Sequence, residues 1–234
     1  MTHLTVLTFK WFDPDFQNNE FYTYDARYVN ILYRMLARHL KTPHDLVCVT
    51  DDPKGIEPGI HVIPMPPAVK ALGTYYPKLW AFHSGARWLF GPRILLMDLD
   101  AVIVRGLDPL LETDAPFKAW ETNKVPPERK ARFNTSFVLM NAGAFPQVWD
   151  RFNGEQCLRK ADAAGFERGD QGWVSYVLNN HGEGWPKFGG GIESFTPLGR
   201  RPPPESARVV FFNGRSSPAM ATCQEVPWVR EAWR

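Results

Sequence analysis

Cysteine is scarce in this chain of 234 residues: there are three, Cys48, Cys157 and Cys223, far apart. An odd, scattered set argues against a disulfide framework and against a clustered zinc site. It fits a reducing compartment best. Long apolar runs are missing too. The opening MTHLTVLTFKWF is broken at Lys10 and lacks the apolar core of a signal peptide. No stretch approaches the ~20 apolar residues of a membrane span. The expectation is a cytoplasmic protein. Peripheral contact with a membrane falls to Trp228 and Trp233, whose other role is packing on the domain. Nor is there an excess of one charge: 27 Lys and Arg face 25 Asp and Glu, a formal net charge of +2. The two signs are interspersed, which excludes the basic stripe of a nucleic-acid binder. With no internal repeat and no sharp linker, residues 1–234 read as a single domain, long enough to bury a full core.

Aromatic residues, by contrast, are plentiful, at 14% with nine Trp. They serve either a Trp-rich core or a site that stacks bases or sugars. Strand-like runs at 4–9, 46–50 and 60–65 enclose a helix expected over 25–40. In that helix Tyr28, Leu32, Met35, Leu36 and His39 form one stripe. The β-α-β order predicts an α/β protein, a mostly parallel sheet with helices on its faces. A helix is expected over 77–90, and one long central strand over 93–104, RILLMDLDAVIV, apolar enough to be buried on both faces. Further strands are read at 117–120, 136–140 and 207–212, and helices at 144–152, 156–164 and 170–178. Residues 181–206 are rich in Gly and Pro and read as loop. A short helix closes the chain.

Asp98 and Asp100 carry the chemistry. Within a strand, residues two apart share a face at about 6.5 Å, with Leu99 turned the other way. Two carboxylates so placed can hold one divalent cation, and an all-oxygen pair suits Mg²⁺ or Mn²⁺ rather than zinc. Following an apolar run, they sit at the carboxyl end of a central strand, where open α/β sheets bind ligands. The plainer reading is two acids that cap a strand end, solvated or paired with Arg.

Several segments, in this order, resemble the GT-A glycosyltransferases, family 8 in particular. YYPKLWAF is similar to the helix whose basic residue, here Lys78, faces the donor. RILLMDLDAVIV resembles the strand ending in D-x-D. FNTSFVLMN resembles a strand beside the acceptor, with Asn134 and Ser136 matching. GDQGWVSYVL resembles a helix start marked by Asp170 and Gln171, and VVFFNGRSSP a late H-F-x-G-x-x-K-P segment. The resemblance implies a GT-A, Rossmann-like mixed sheet. It also implies retaining transfer of a hexose from a nucleotide-sugar donor, UDP-sugar favoured, to a carbohydrate or other hydroxyl acceptor, with Mn²⁺ or Mg²⁺.

The implied metal ligands are Asp98 and Asp100. The implied donor site comprises Thr8, Phe9, Lys10, Tyr28, Asp51, Lys78, Asp98, Leu99, Asp100, Asn134, Ser136, Gly214 and Arg215. Asp170 and Gln171 are the catalytic candidates, Asp170 as a nucleophile in a covalent route or as a bystander to a front-face one. An Asp at a helix start is also an ordinary capping residue. Trp173, Trp185 and Phe188 are candidates for an acceptor platform, and Gly189, Gly190 and Gly191 for a loop that orders over the donor.

The chain departs from the pattern at Phe211, aligned with the family's metal-binding His, and at Ser217, aligned with its Lys. Water or His181 is the alternative third ligand, and Arg215 the alternative phosphate partner. Two rival functions stay open. ILLMDLDAVIV also fits a phosphatase of the haloacid dehalogenase type, with Asp98 as nucleophile and Asp100 as acid/base. A GT-A-like domain that binds nucleotide or glycan without turnover is the other. A nucleotidyltransferase fits less well, because FKWFDPDFQNNE is not a Gly-rich basic loop.

Overall fold

In a computed structural model of the protein, residues 3–13, 24–122 and 130–234 are described. The loop after the first strand, used above against a nucleotidyltransferase, lies largely outside them. The strands are β1 (Leu4–Lys10), β2 (His44–Thr50), β3 (His61–Pro64), β4 (Arg93–Met97), β5 (Ala101–Ile103), β6 (Phe117–Glu121), β7 (Phe133–Asn141), β8 (Glu183–Trp185), β9 (Ile192–Ser194) and β10 (Val209–Phe211). Seven form one sheet in the order β3-β2-β1-β4-β7-β6-β8, and β5-β10-β9 form a second. In the large sheet only β7 runs against the others, antiparallel to both β4 and β6.

The strands alternate between two apolar faces. Val6, Cys48, Leu95 and Leu139 meet the helix Ala26–His39 and the second sheet. Leu7, Val49, Ile94 and Val138 meet the helices on the other side, among them Glu155–Ala163 and Asp170–Val177. The helix Ala26–His39 forms where its stripe predicts, with Tyr28, Leu32, Met35 and Leu36 buried. Asp25 caps it, its side chain accepting from Arg27 N at 2.9 Å. His39 sits at its last turn, partly exposed.

Four expectations are corrected. The strand over 93–104 is two strands in two sheets: the chain leaves β4 after Met97, bends through residues 98–100, and enters β5 against β10. Asp98 and Asp100 therefore occupy the bend between sheets, and the same-face argument for a continuous strand does not apply. The helix over 77–90 is a 3-10 helix, Tyr76–Phe82, and a short α-helix, Ala86–Phe90. The break falls at His83, whose backbone is extended while its ring stacks on Trp80. The helix over 144–152 shrinks to Gln147–Asp150, because Pro146 disfavours helical geometry in the residue before it. Residues 181–206 are not all loop: Glu183–Trp185 extends the large sheet beside β6, and Ile192–Ser194 pairs with β10.

Gly172 shows how tightly the helix at 170 is docked. A Cβ on it would lie 1.7 Å from Glu167 O, a backbone atom. Gly172→Ala is expected to cost at least about 1–3 kcal/mol, the usual penalty of overpacking. Gly106→Ala, whose Cβ meets only His39 O at 3.8 Å, is the control. Thermal denaturation of both checks this; equal melting temperatures would contradict the close docking.

Candidate active site

The parallel strands all end at the same edge, and β7 begins there. The chain thus gathers at one edge the residues that follow β1, β4 and β6 and those that open β7. A cavity of about 630 Å³ lies over that edge. Its walls include Phe9, Lys78, Asp98, Leu99, Asp100, Asn134, Ser136, Asp170, Gln171 and Gly214. Ten of the residues expected from sequence therefore converge, from segments spread over most of the chain.

At the centre is a buried ion cluster. Lys78, 7% exposed, reaches from the 3-10 helix to Asp98, with Nζ 3.2 Å from Oδ1 and 3.1 Å from Oδ2. The same Nζ is 3.0 Å from Asp170 Oδ2. Burial alone would lower the lysine pKa, but the charges of Asp170 and Asp98 outweigh it and raise it above the ordinary value. Asp170, 4% exposed, also accepts from the Thr135 hydroxyl on Oδ2. The bend at 98 is pinned by Asp98 N donating to Ser136 O at 3.0 Å. Asn134 holds the start of β7 locally, its Oδ1 accepting from Ser136 N at 2.8 Å.

Asp100 is the uncompensated member. Burial and the neighbouring Asp98 push its carboxyl up to about 7, with Lys78 only partly opposing. Its Oδ1 is enclosed and has no hydrogen-bond partner. An enclosed carboxylate oxygen that no donor reaches is the kind of group a divalent cation satisfies. The acids present thus fit Mg²⁺ or Mn²⁺. Among the described residues no cluster of three or more His, Cys, Asp or Glu stands ready to hold a metal.

Five expected donor contacts do not line the cavity. Thr8 is fully buried on the helix-facing side of β1 with Val6. Lys10 turns to the Asp52 carbonyl at 2.8 Å. Tyr28 faces Ser217, the hydroxyls 2.5 Å apart, and packs edge-on to Trp233. Asp51 pairs with Lys70 at 2.7 Å. Arg215 is exposed beyond the wall. His181 bonds the Leu178 carbonyl instead of facing the acids. Phe211, at the position of the family's His, is buried and stacks on Trp120. Trp173 and Trp185 are core residues, the first donating to Val148 O. Phe188, 61% exposed, does line the cavity. Gly190 sits tight against Pro186 O. Trp233 is buried, and Trp228, half-buried, packs near Phe195 and Phe212.

Sequence reasoning missed Tyr24, Trp11, Trp120, Ser194 and Asn213, all in the wall. Tyr24 lies just ahead of the helix's N-cap Asp25, and burial together with the neighbouring Asp100 pushes its phenol pKa up. A wider cleft of about 990 Å³, lined by Lys130, Arg151 and Lys160 among others, shares no residue with this cavity.

No family sequence model and no curated protein sequence matches this chain. Its architecture is that of the GT-A glycosyltransferase fold. It superposes on galactosyltransferase LgtC, solved with donor and acceptor sugar analogs, with a TM-score of 0.60 and 12% identity over 97% of this chain and 93% of LgtC. An active-site mutant of LgtC gives 0.57 at 13% identity, covering 97% and 95%. The glycosyltransferase GlyE of Streptococcus pneumoniae TIGR4 gives 0.58 at 13%, covering 93% of this chain and 57% of GlyE.

Lys78 is the test of the cluster. Lys78→Met removes the charge and keeps the length, leaving Asp98 and Asp170 without their buried partner. The expected cost is about 3–5 kcal/mol at pH 7.5. In the wild type the lysine has a native pKa above its unfolded one. Its contribution is therefore full below about 10.4 and fades as pH rises through the native value. Denaturant titrations at pH 7.5 and above about pH 10.4 read this; a Met variant as stable as wild type at pH 7.5 would remove the cluster from the account.

Proposed function

We propose that this protein is a metal-dependent glycosyltransferase that moves a hexose from a nucleotide-sugar, UDP-sugar favoured, to a glycan or other hydroxyl acceptor with retention of configuration. The observation that carries the reading is the enclosed, unpartnered Asp100 oxygen beside Asp98, at the ligand-binding edge of a GT-A sheet. Asp98 and Asp100 would hold the cation. A bound Mg²⁺ or Mn²⁺ supplies positive charge against the negative charge that develops on a departing diphosphate.

The chain's own groups do the rest. Lys78 holds a fixed, buried positive charge beside Asp98, where it offsets charge on donor phosphate or sugar oxygens. Being pinned by two carboxylates, it needs no reorganisation when the leaving group forms. Lys78 and Thr135 both act on Asp170 Oδ2, so they fix the plane of that carboxylate. Its other oxygen is the one this reading gives to the reacting sugar, with Gln171 beside it. A covalent route through Asp170 and a front-face route both use that orientation. Asn134 and Ser136, in the cavity wall, are the residues this reading gives to sugar hydroxyls, and Trp11 and Phe188 would give an acceptor ring apolar faces to lie against. Among the described residues no helix is long and apolar enough to cross a membrane, which suits an enzyme working in the cytoplasm.

Calorimetric titration of UDP, with Mn²⁺ and then with EDTA, tests this first. Binding is expected only with the metal. It should be lost in Asp98→Asn and Asp100→Asn while circular dichroism stays that of the wild type. Full metal-dependent binding in either variant would sink the metal assignment. Metal-dependent binding in the wild type with no hydrolysis or transfer from any UDP-sugar would favour a binding domain, the reading that Phe211 in the core supports.

A further inference from the structure

Next to Asp100 the cavity wall holds a second enclosed oxygen that no donor reaches. Asn213 follows β10, and its Oδ1, like Asp100 Oδ1, is buried without a hydrogen-bond partner. Phe212 N donates to the Asp100 carbonyl at 2.8 Å, tying the two segments side by side. The β5–β10 register pairs Phe211 with Ala101. Asn213 follows the paired residues of β10 just as Asp100 precedes those of β5. Both residues line the one cavity. Buried acceptors without a partner are expensive to keep, at about 1–3 kcal/mol each. Among the described residues no N–H or O–H meets either, so a donor or cation from outside them would complete the pair. A cation is favoured, because Asp98 adds a third set of acceptor oxygens.

We infer that Asn213 supplies the third protein oxygen for the cation held by Asp98 and Asp100, making the site all-oxygen and selective for hard cations. The inference rests on the metal role given above to the two aspartates. An amide oxygen with two carboxylates suits Mg²⁺ and Mn²⁺, whereas an imidazole ligand shifts preference toward later transition metals such as Co²⁺. The strand position that carries a His in the resembling family holds Phe211, sealed against Trp120 and Phe137. The ligand has moved two residues along the chain and changed from nitrogen to oxygen.

The test titrates Mg²⁺ and Co²⁺ into the full chain by calorimetry and follows the visible absorption of bound Co²⁺. Wild type is compared with Asp100→Asn, Asn213→Ala and Asn213→His. Asn213→Ala is expected to weaken Mg²⁺ about 10-fold or more, the scale at which groups around a metal act. Asn213→His is expected to move the Co²⁺ to Mg²⁺ affinity ratio toward Co²⁺ by about 10-fold and to change the Co²⁺ spectrum as nitrogen enters. If Asp100→Asn loses the metal while both Asn213 variants bind and absorb as wild type does, the Asn213 assignment falls and the aspartate reading stands. If Asp100→Asn binds both metals unchanged, the aspartate reading itself falls. The His variant covers the case in which the Ala variant is misfolded.

Discussion

The Lys78 ammonium, taken out of water and held between Asp98 and Asp170, is the interaction around which this site is arranged. It joins three pieces of chain that are distant in sequence: the 3-10 helix, the end of β4 and the start of the helix at 170. Thr135 on β7 adds a fourth through its bond to Asp170. An ammonium in such a place is stable only because two carboxylates meet it, and each carboxylate is tolerable only because the ammonium is there. Yet the charges do not balance. One lysine faces Asp98, Asp100 and Asp170, and the shortfall shows in Asp100, whose carboxyl burial and Asp98 hold near neutrality. The cluster is built one positive ligand short, which gives the metal reading its electrostatic basis.

The bend at residues 98–100 has a consequence for selectivity. A straight strand would have set both aspartates on one face of the large sheet. The bend instead delivers Asp100 to the second sheet, where its carbonyl accepts from Phe212 N and its side chain shares a wall with Asn213. The second sheet is therefore part of the site. Its third strand, Ile192–Ser194, brings Ser194 into the same wall. Changes in that small sheet can alter the ligand set without disturbing the large one.

The sheet strands and the helix Ala26–His39 were legible because period-2 and period-3.6 apolar patterns are long there. Most of the ion cluster was legible too, since Lys78, Asp98, Asp100 and Asp170 stand in segments whose order resembles a known family. What escaped has physical reasons. RILLMDLDAVIV is apolar on both sides of its acids, and nothing in that pattern distinguishes one buried strand from two short strands joined by a bend. Strands of three residues, as at 183–185 and 192–194, are too short to display alternation. Tyr28 drew attention by sitting on the helical stripe, but the stripe faces the core. Tyr24, ahead of the helix and off its stripe, is the tyrosine beside Asp100. Asn213 carried no signal at all, because asparagine in a Gly-containing loop is most often a turn residue.

Folded proteins leave few buried polar atoms without a partner. Here, among the described residues, Asp100 Oδ1, Asn213 Oδ1, Ser194 Oγ and Trp120 Nε1 are all unmet, and all belong to residues of one cavity wall. Such a concentration is costly to the free protein and is recovered only when something polar enters. The four atoms also differ in kind. The Asn213 amide oxygen only accepts, as does Asp100 Oδ1 when its carboxyl is ionised, the Trp120 indole only donates, and the Ser194 hydroxyl does both. A purely anionic ligand would leave the acceptors unmet, and a bare cation would leave the indole unmet. A cation at the acids together with a hydroxyl-rich body beyond them answers all four. That is the composition of a metal-bound nucleotide-sugar, the ligand proposed above.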